Sequence, residues 1–268
     1  SELLGYVGFL PDEANKVRFY WNSCWWADPE KGGHIALPLF YKALDIIDKK
    51  MLLTDLTTHT KSIIEKTGLF YLAKSYPGMR YFYYSPLKHI IPKKLPWLTF
   101  LKPLYLFADI LINLVLQLSA NRSQAKPVHK TKMISRLGQA EDQFISRHQG
   151  LNLPKRTAKD LNWAIGHPWL VHPDEVLGNE GTKYYFSSSS KIFEQAFFRI
   201  DGNDGHIKSI LMLSMREGLL QVPYLFAEES AMDTVVDLVL KQMRKWGASS
   251  VLTFQPMLLK ALHKRKIK

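Results

Sequence analysis

Hydrophobic and polar positions form two blocks along the chain, and the first begins near the amino terminus. Residues 5–10 and 17–26 are rich in aromatic and aliphatic side chains, as strands are, with a turn between them over 11–15. Apolar residues then recur at helical spacing, and a capping threonine opens a further helix that Gly68 ends. The first block predicts strand, strand, helix, strand and helix over 5–10, 17–26, 35–49, 51–56 and 58–66.

The second block begins near residue 140 and, after two leading helices, repeats this order with one more strand before the next helix. Three strands, a helix, a strand and a final helix follow those two, so that the predicted elements occupy 141–150, 158–166, 184–200, 206–215, 219–229, 231–247, 250–255 and 256–266. Between the blocks, 69–85 predicts two strands around a turn at Pro77-Gly78. The shared order predicts an α/β fold with mixed sheets (α+β), built from two lobes related by internal duplication.

An apolar segment over 95–118 separates the two blocks. Pro103 and Asp109 interrupt it, and a spanning helix needs about 20 predominantly apolar residues. Three interpretations stay open: a buried helix that links the lobes, a surface helix on an anionic membrane, and a spanning helix. We therefore divide the chain into a partial first lobe (1–85), a basic linker with an apolar helix (86–139) and a second lobe (140–268).

Charge concentrates around this apolar segment. The chain carries a net charge of +12, and between Ser85 and Arg136 it has nine lysines and arginines but one acid, Asp109. Such a balance favours phosphate-bearing partners, namely coenzyme A, a nucleotide-linked sugar, an anionic membrane surface bound through 86–136, or nucleic acid. Charge alone does not choose among these partners.

Cysteine and histidine usage excludes some classes of site. With Cys24 as its single cysteine, the chain has no internal disulfide framework, which favours a reducing, cytoplasmic location, with peripheral membrane association as the alternative. One cysteine cannot build a zinc site, and the nine histidines show no metal-binding spacing. We expect no metal.

The most informative motif follows the second predicted strand. The sequence WWADPEKGGHIA (25–36) runs from a strand through a glycine-bearing turn into a helix, where backbone N–H groups can meet a phosphate. It resembles the strand-4 to helix-3 junction of the GNAT superfamily of acyl-CoA N-acyltransferases, whose loop cradles the coenzyme A pyrophosphate. The resemblance implies acetyl-CoA or another acyl-CoA as co-substrate, bound by Trp25, Trp26, Ala27, Lys31, Gly32, Gly33, His34, Ile35 and Ala36.

Two positions depart from the family pattern. His34 stands where the first diagnostic glycine is expected and adds bulk at the loop. Further on, Glu65, Lys66 and Gly68 fit the family's helix-4 signature, but Ile64 replaces the tyrosine that often returns a proton to the leaving thiolate. The resemblance therefore predicts an acyl-CoA-binding fold in which the family's usual general acid is missing.

The second lobe contains a different motif. Its AKDLNWAIGHPWLV (158–171) resembles the start of GNAT-like domains found with bacterial polysaccharide biosynthesis. The helix start after its third strand reads Glu228-Glu229-Ser230-Ala231, and acids there would repel a pyrophosphate. We expect this lobe to shape the acceptor pocket or to be structural.

An active enzyme would need a base for the acceptor amine. Asp55 at the end of a strand and His59 at a helix start are the candidates. The leading hypothesis is an N-acyltransferase that acts on a small-molecule amine, such as a nucleotide-linked amino sugar or another cell-envelope precursor. The alternatives are a degenerate, non-catalytic GNAT-fold scaffold or membrane-surface protein, and an aminoacyl-tRNA-dependent transferase. Unless the protein is that transferase, we expect no nucleic-acid partner.

The resemblance also raises a question about the sheets. The first lobe begins near the family's third strand, and the second lobe ends without the family's last two strands. Either the chain is truncated or the lobes complete one another. In the second case, strands near 5–10 or 71–84 should pair with strands of the second lobe.

Overall fold

The computed structural model describes residues 2–14, 16–73, 75, 77–85, 87, 91, 94–122, 129–150, 154–168, 170–171 and 188–265. Its contacts divide the chain into two compact units. Unit 1 comprises Ser1–Ser75 with Leu151–Lys155, and unit 2 comprises Tyr76–Gly150 with Arg156–Lys268. The mixed α/β architecture with two main sheets confirms the predicted fold class.

Unit 1 is a three-stranded sheet with two helices. Its elements are β1 (Gly5–Ala14), β2 (Val17–Ala27), α1 (Ala36–Ile46), β3 (Met51–Leu52) and α2 (Thr58–Lys66). The strand order is β1-β2-β3, with β1 antiparallel and β3 parallel to β2. The helices and strands enclose a small apolar core of Phe40, Leu44, Ile47, Met51 and Ile64.

Strand β1 extends further than its sequence predicts. The predicted turn over 11–15 is instead strand as far as Ala14, and the chain turns at Lys16, whose φ is 65°. Because β1 lies at the edge of the sheet, Pro11 can occupy it although proline donates no backbone hydrogen bond. Helix α2 begins as predicted, since the Thr57 hydroxyl accepts a hydrogen bond from the Thr60 amide at 3.1 Å.

Unit 2 contains a six-stranded sheet. The elements, in chain order, are β4 (Met79–Phe82), a 3₁₀ turn (Pro96–Leu101), α3 (Lys102–Arg122), β5 (Lys130–Ile134), α4 (Gln139–His148), α5 (Ala158–Gly166), β6 (Leu170–Val171), β7 (Ser188–Ser189), β8 (Phe193–Asp201), β9 (Ile207–Arg216), β10 (Leu219–Ala227), α6 (Met232–Trp246), β11 (Ser250–Thr253) and α7 (Pro256–Lys264). The order of the large sheet is β4-β11-β10-β9-β8-β5, and β6 pairs with β7 separately.

Both faces of this sheet are covered by helices. Side chains such as Phe198 and Leu211 pack with α6 and α7 on one face, whereas Phe197 and Ile210 pack with α4 and α5 on the other. Helix α6 ends at Gly247, whose left-handed φ of 69° suits a residue without a side chain. Alternate residues along each strand thus enter two separate apolar layers.

Three segments differ from what their local sequence predicts. The strand β4 pairs antiparallel with β11, which confirms the expected pairing of 71–84 with second-lobe strands, whereas β1 pairs with β2. Residues 69–73 and 75 form no strand. The strand β5 lies within the predicted linker 86–139 and pairs with β8. Its exposed Lys130 and Lys132 gave it no apolar signature, and positions 184–187 of the next predicted strand lie outside the described residues.

The apolar segment is a helix, but it is not a core helix. Within the described chain, Pro96–Val115 is long and apolar enough to cross a membrane, judged by length and composition, and 11% of that stretch is buried. The interpretation as a buried helix linking two lobes is therefore wrong. A helix that packs in a core buries an apolar stripe, and this one leaves most of its apolar residues exposed.

Candidate functional site

In unit 1 the two parallel strands separate soon after they meet. The pairing of β2 with β3 is confined to Tyr20 with Met51 and Trp21 with Leu52. Beyond that point residues 22–27 stay with β1, and no hydrogen bond joins them to 53–56, all of which the structure describes. The carboxyl ends of the two parallel strands are therefore not hydrogen-bonded to each other, and we call this divergence the opening of unit 1.

The loop from β2 to α1 is organised by Asp28. One carboxylate oxygen of Asp28 accepts hydrogen bonds from the amides of Glu30 at 2.9 Å and Lys31 at 2.7 Å. The Gly32 amide donates to the Asp28 carbonyl at 2.8 Å, and a Cβ on Gly32 would lie 2.4 Å from the Leu4 carbonyl oxygen. Gly32 is thus small because the loop folds on itself, and the Asp-Pro pair was the sequence signal for this turn.

The start of α1 keeps backbone N–H groups available. The Ile35 amide donates to the Gly32 carbonyl, whereas within the described residues the amides of Gly33, His34, Ala36 and Leu37 have no acceptor. The first turn of α1 contains no acidic side chain and no side-chain cap. A Cβ on Gly33 would meet nothing within 4 Å, so the loop is open there. Uncapped amides at a helix amino terminus suit an anion such as a phosphate.

The tryptophans hold this loop against the helix. The Trp25 indole N–H donates to the Ala36 carbonyl at 3.2 Å, and its ring stacks on Phe40 with centroids 4.7 Å apart. Trp26 is 40% exposed and stacks on Tyr6 at 5.7 Å. The structure therefore brings the predicted segment from Trp25 to Ala36 together at one helix start.

The remaining predicted site residues lie at the same sheet edge or at its surface. Lys31 forms an exposed ion pair with Glu2 at 2.8 Å, a partner that sequence reasoning did not identify. Asp55 and His59 follow β3 and are both exposed, and Asp55 has a positive φ of 53°. Asp55 follows the end of β3, where the two strands diverge, and His59 lies in the first turn of α2.

The position that resembles the family's tyrosine packs inside unit 1. Ile64 is 3% exposed and belongs to the core with Phe40 and Leu44. Its aliphatic side chain therefore has no proton to donate.

Unit 2 contains a comparable strand pair whose divergence is bridged. The strands β10 and β11 pair in parallel over Leu219–Gln221 with Ser250–Leu252, and β10 then has an irregularity between Gln221 and Tyr224. Beyond it, the Gln255 side-chain amide donates to the Pro223 carbonyl at 3.3 Å. A side chain of the protein thus crosses the space that stays open in unit 1.

The helix start next to this pair is acidic. Glu228 and Glu229 precede α6, and Asp233 lies in its first turn. Hydrogen bonds to Glu228 at 3.2 Å and to Asp204 at 3.3 Å raise the pKa of Lys208. Lys260 lies 3.7 Å from Glu229 and Arg265 lies 3.5 Å from Asp233, so each of these carboxylates already pairs with a cation of the chain, and the acidic helix start does not favour a diphosphate.

A cleft of about 1140 Å³ opens between α4, α5 and the loop that joins β5 to α4 in unit 2. Asn162 clamps Leu137 by accepting from its amide at 2.8 Å and donating to its carbonyl at 2.9 Å. Asp142 accepts from the Ala158 amide, so these polar side chains hold backbone. Trp163 is exposed on the cleft and stacks on His167 at 4.8 Å. The three residues of the Leu-Asn-Trp motif are thus a core residue, a side chain that binds backbone groups, and an exposed ring.

No protein-family model matches the chain, and no curated protein matches it. Among solved structures, a GCN5-related glucosamine N-acetyltransferase region of a fungal multi-domain β-N-acetylglucosaminidase matches 97% of this chain and 30% of that chain, at 9% identity and a TM-score of 0.50. A probable N-acyltransferase from Enterococcus faecalis matches 94% of this chain and 51% of its own, at 11% identity and a TM-score of 0.46. The N-myristoyltransferase of Saccharomyces cerevisiae with bound myristoyl-CoA matches 93% and 60%, at 7% identity and a TM-score of 0.42.

The chain thus spans between 30% and 60% of the length of these proteins. Identities of 7 to 11% carry information about the fold and not about the reaction. The match at a TM-score of 0.50 is to a GCN5-related N-acetyltransferase fold, and it extends over both units of the chain.

Proposed function

We propose that this protein is an acyl-CoA-dependent N-acyltransferase of the GNAT type and that unit 1 binds the acyl-CoA. The proposal rests on one observation: β2 and β3 diverge beside an uncapped helix start, in a fold that matches a GCN5-related N-acetyltransferase region. The free amides of Gly33, His34, Ala36 and Leu37 would receive the pyrophosphate. The pantetheine arm would lie along Trp25, Trp26 and Ala27, with Ile35 beside the loop.

The mechanism needs few groups from the protein. Asp55 or His59 takes a proton from the acceptor ammonium or amine, and the amine nitrogen attacks the thioester carbonyl. Strand-end amides of β2 hold the developing oxyanion. The new C–N bond forms as the C–S bond breaks, and the thiolate receives its proton from solvent or from the protonated base. Because Ile64 has no ionisable group, we assign the return of this proton to the protonated base or to solvent.

The acceptor is proposed to be a small-molecule amine, in particular an amino sugar or a related cell-envelope precursor in the cytoplasm. One structural neighbour of this fold is described as a glucosamine N-acetyltransferase region, so amino sugars are the first acceptors to test. The resemblance of 158–171 to domains found with polysaccharide biosynthesis supports this class of acceptor independently.

A titration of acetyl-CoA into matched variants tests the proposed site. Gly33→Glu puts a carboxylate at the open loop position, where its Cβ meets no neighbour and folding should be unaffected. Ser230→Glu adds the same charge at the exposed helix start of unit 2. We expect wild type and Ser230→Glu to bind alike, and Gly33→Glu to bind at least about ten-fold more weakly through repulsion of the diphosphate. Equal binding by all three variants contradicts a site in unit 1.

A second candidate function is a scaffold that binds acyl-CoA without turning it over. The buried position of Ile64 favours it, because the usual general acid is missing. Release of the free thiol, followed with a panel of amino sugars, separates the two functions. Binding without thiol release for any acceptor supports the scaffold, and steady release supports the transferase.

A further inference from the structure

Helix α3 turns its polar residues toward the protein. Tyr105, Asp109 and Asn113 are spaced by four residues and therefore share one stripe of the helix. Tyr105 and Asp109 are each 5% exposed. The Asp109 carboxylate accepts a hydrogen bond from the Leu87 amide at 3.0 Å, and the Asn113 side-chain oxygen accepts one from the Ser85 amide at 2.6 Å. The polar stripe thus holds the chain that precedes the helix.

The opposite face of α3 is apolar and exposed. Large side chains here and in the preceding 3₁₀ turn are between 52% and 72% exposed, among them Phe100, Leu104, Phe107, Ile110, Leu114 and Val115. A helix on the surface of a water-soluble domain has the reverse arrangement, with its apolar stripe inside. A contiguous apolar surface of this kind marks a face that meets an apolar partner.

The charges around this face identify the partner. The segment from Ser85 to Arg136 has nine basic residues, and its single acid is the buried Asp109. Lys94, Lys102 and Lys130 are exposed, while Lys88, Lys93 and Lys126 lie outside the described residues. Basic groups beside an apolar face suit anionic lipid headgroups above acyl chains. A second copy of this chain would bring like charges together and is disfavoured.

The sheet of unit 2 determines how the helix can meet a bilayer. The strand β4 precedes α3 and β5 follows it, yet both belong to the same six-stranded sheet. A single spanning helix would leave the two strands on opposite sides of the membrane. A helix that begins and ends at the same sheet must therefore lie within one interface.

We propose that α3 and the preceding 3₁₀ turn dock unit 2 on an anionic membrane, with the apolar face among the acyl chains of one leaflet and the lysines at the headgroups. The stripe formed by Tyr105, Asp109 and Asn113 stays on the protein. This inference is independent of the proposed acyl transfer, because it rests on other residues and needs no acyl-CoA.

Vesicle flotation tests the docking. The probes are vesicles of phosphatidylcholine alone and vesicles that also contain phosphatidylglycerol. Wild type should float with the anionic vesicles and lose binding at high salt, and the triple variant Leu104→Asp, Phe107→Asp, Leu114→Asp should bind at least about ten-fold more weakly. The matched control Ile46→Asp alters a residue of unit 1 that is 72% exposed and should bind as wild type does.

Two outcomes of the flotation overturn the proposal. Equal binding by wild type and the triple variant would remove α3 from the interface. A wild type that ignores vesicles but forms a dimer that the triple variant loses would assign the face to a second copy. The substituted side chains are exposed, so the variants should keep the circular dichroism of wild type.

Cysteine labelling tests the one-leaflet arrangement without disturbing the apolar face. In a Cys24→Ser background, which removes the exposed native thiol, Lys94→Cys and Met133→Cys place thiols before and after α3. With protein bound to the outside of sealed vesicles, a membrane-impermeant maleimide should label both thiols. Protection of one of them would show a spanning helix and would contradict the docking proposed.

Discussion

The two units share one order of elements but differ in the side chains and the burial of those elements. In each unit an antiparallel strand pair leads into a helix, a short parallel strand and a second helix, over Gly5–Lys66 in unit 1 and Ile207–Lys264 in unit 2. The first of these helices buries eight residues in unit 2 and three in unit 1. The strands of unit 2 lie between two apolar layers, whereas most of β1 and β2 is partly or fully exposed.

The difference is sharpest at the divergence of the parallel strands. In unit 2, Gln255 bridges the gap and carboxylates occupy the helix start. In unit 1, the gap is not bridged and the helix start is free of acids. The same order of elements can therefore serve as a framework in one place and as a ligand site in the other, because a few side chains decide whether an anion is accepted.

The largest expected effect concerns catalysis in unit 1. We expect either Asp55→Asn or His59→Gln to lower the rate of thiol release by about 10²–10⁴-fold, the usual contribution of a general base, with acyl-CoA affinity unchanged. The other substitution should have a small effect. Steady-state kinetics with acetyl-CoA and an amino-sugar acceptor measure both. Full activity in the two single variants and in the double variant would remove the base from this edge.

The second prediction concerns the framework. Phe197 and Phe40 are both fully buried, one in the sheet of unit 2 and the other in the core of unit 1. Phe197→Ala should lower the free energy of unfolding by about 3–5 kcal/mol through lost burial and a cavity. Urea unfolding followed by circular dichroism measures it. Phe40→Ala should instead change Trp25 fluorescence and acyl-CoA binding. If Phe40→Ala lost all of its helical signal in one transition at low urea, the cores of the two units would not have separate roles.

The third prediction concerns an ion cluster in unit 2. Arg199 donates to Glu141 at 2.6 Å and to Asp201 at 2.5 Å, and all three are largely buried. Burial alone would raise the pKa of Glu141, but the hydrogen bonds from Arg199, from the Glu141 amide and from the Gly138 amide hold that pKa below its ordinary value. Arg199→Met leaves the Glu141 carboxylate without its cation, while Asp201 keeps Lys132 at 3.3 Å, and the change should cost about 2–4 kcal/mol at neutral pH.

The cluster also fixes a pH dependence. Because the pKa of Glu141 is lower in the folded state, its contribution is present above the ordinary value of 4.5 and is lost as the pH falls through the lowered folded value. Unfolding curves between neutral and acidic pH should show this loss in wild type. In Arg199→Met the dependence on acid should weaken, and an unchanged profile would contradict the assignment.

The fourth prediction separates helix stability from ligand affinity. Leu37→Asp adds an acid to the first turn of α1, at a side chain that is 39% exposed. The helix dipole should stabilise unit 1 by about 0.3–1 kcal/mol. The same charge should weaken acyl-CoA binding by about ten-fold. Thermal unfolding and calorimetry measure the two effects, and affinity that rises together with stability would contradict a diphosphate at this helix start.

The smallest effect is expected at Lys31. Its ion pair with Glu2 is exposed, and such pairs contribute about 0–1 kcal/mol. Lys31→Ala should therefore leave stability almost unchanged while lowering acyl-CoA affinity about three- to ten-fold at low salt. Glu2→Gln is the control, since it frees Lys31 and should strengthen binding slightly. If both variants bind like wild type, Lys31 does not contact the phosphates.

Local signals in the sequence predicted most elements well. Helix α5 occupies the predicted 158–166, Thr57 caps α2, and Gly247 ends α6 in the left-handed conformation. These features depend on side chains within a few residues of each other, and the chemistry of caps and turns is visible in a single sequence. The segment from Trp25 to Ala36 was singled out by its strand–turn–helix pattern and its resemblance to the GNAT junction, and its role as a binding site stays a prediction.

The local pattern did not predict long-range pairing, and the expectation that 71–84 pairs with second-lobe strands came from the family resemblance instead. The strand β4 pairs with β11, which lies about 170 residues further along the chain, and the basic edge strand β5 has no apolar alternation. The polar residues of α3 look like interruptions in the sequence, but their spacing of four residues, from Tyr105 to Asn113, was the available signal for a stripe. In each case the place of the segment in the fold depended on the residues that it contacts elsewhere in the chain, and not on its own sequence.

Hydrogen–deuterium exchange with and without saturating acetyl-CoA tests the central claim most directly, because it compares the two helix starts in one molecule. Binding in unit 1 predicts slower exchange in peptides that cover residues 28–37, where amides of the helix start have no acceptor, and unchanged exchange over 228–234. Slower exchange over 228–234 with no change over 28–37 would place the ligand in unit 2 and contradict the account.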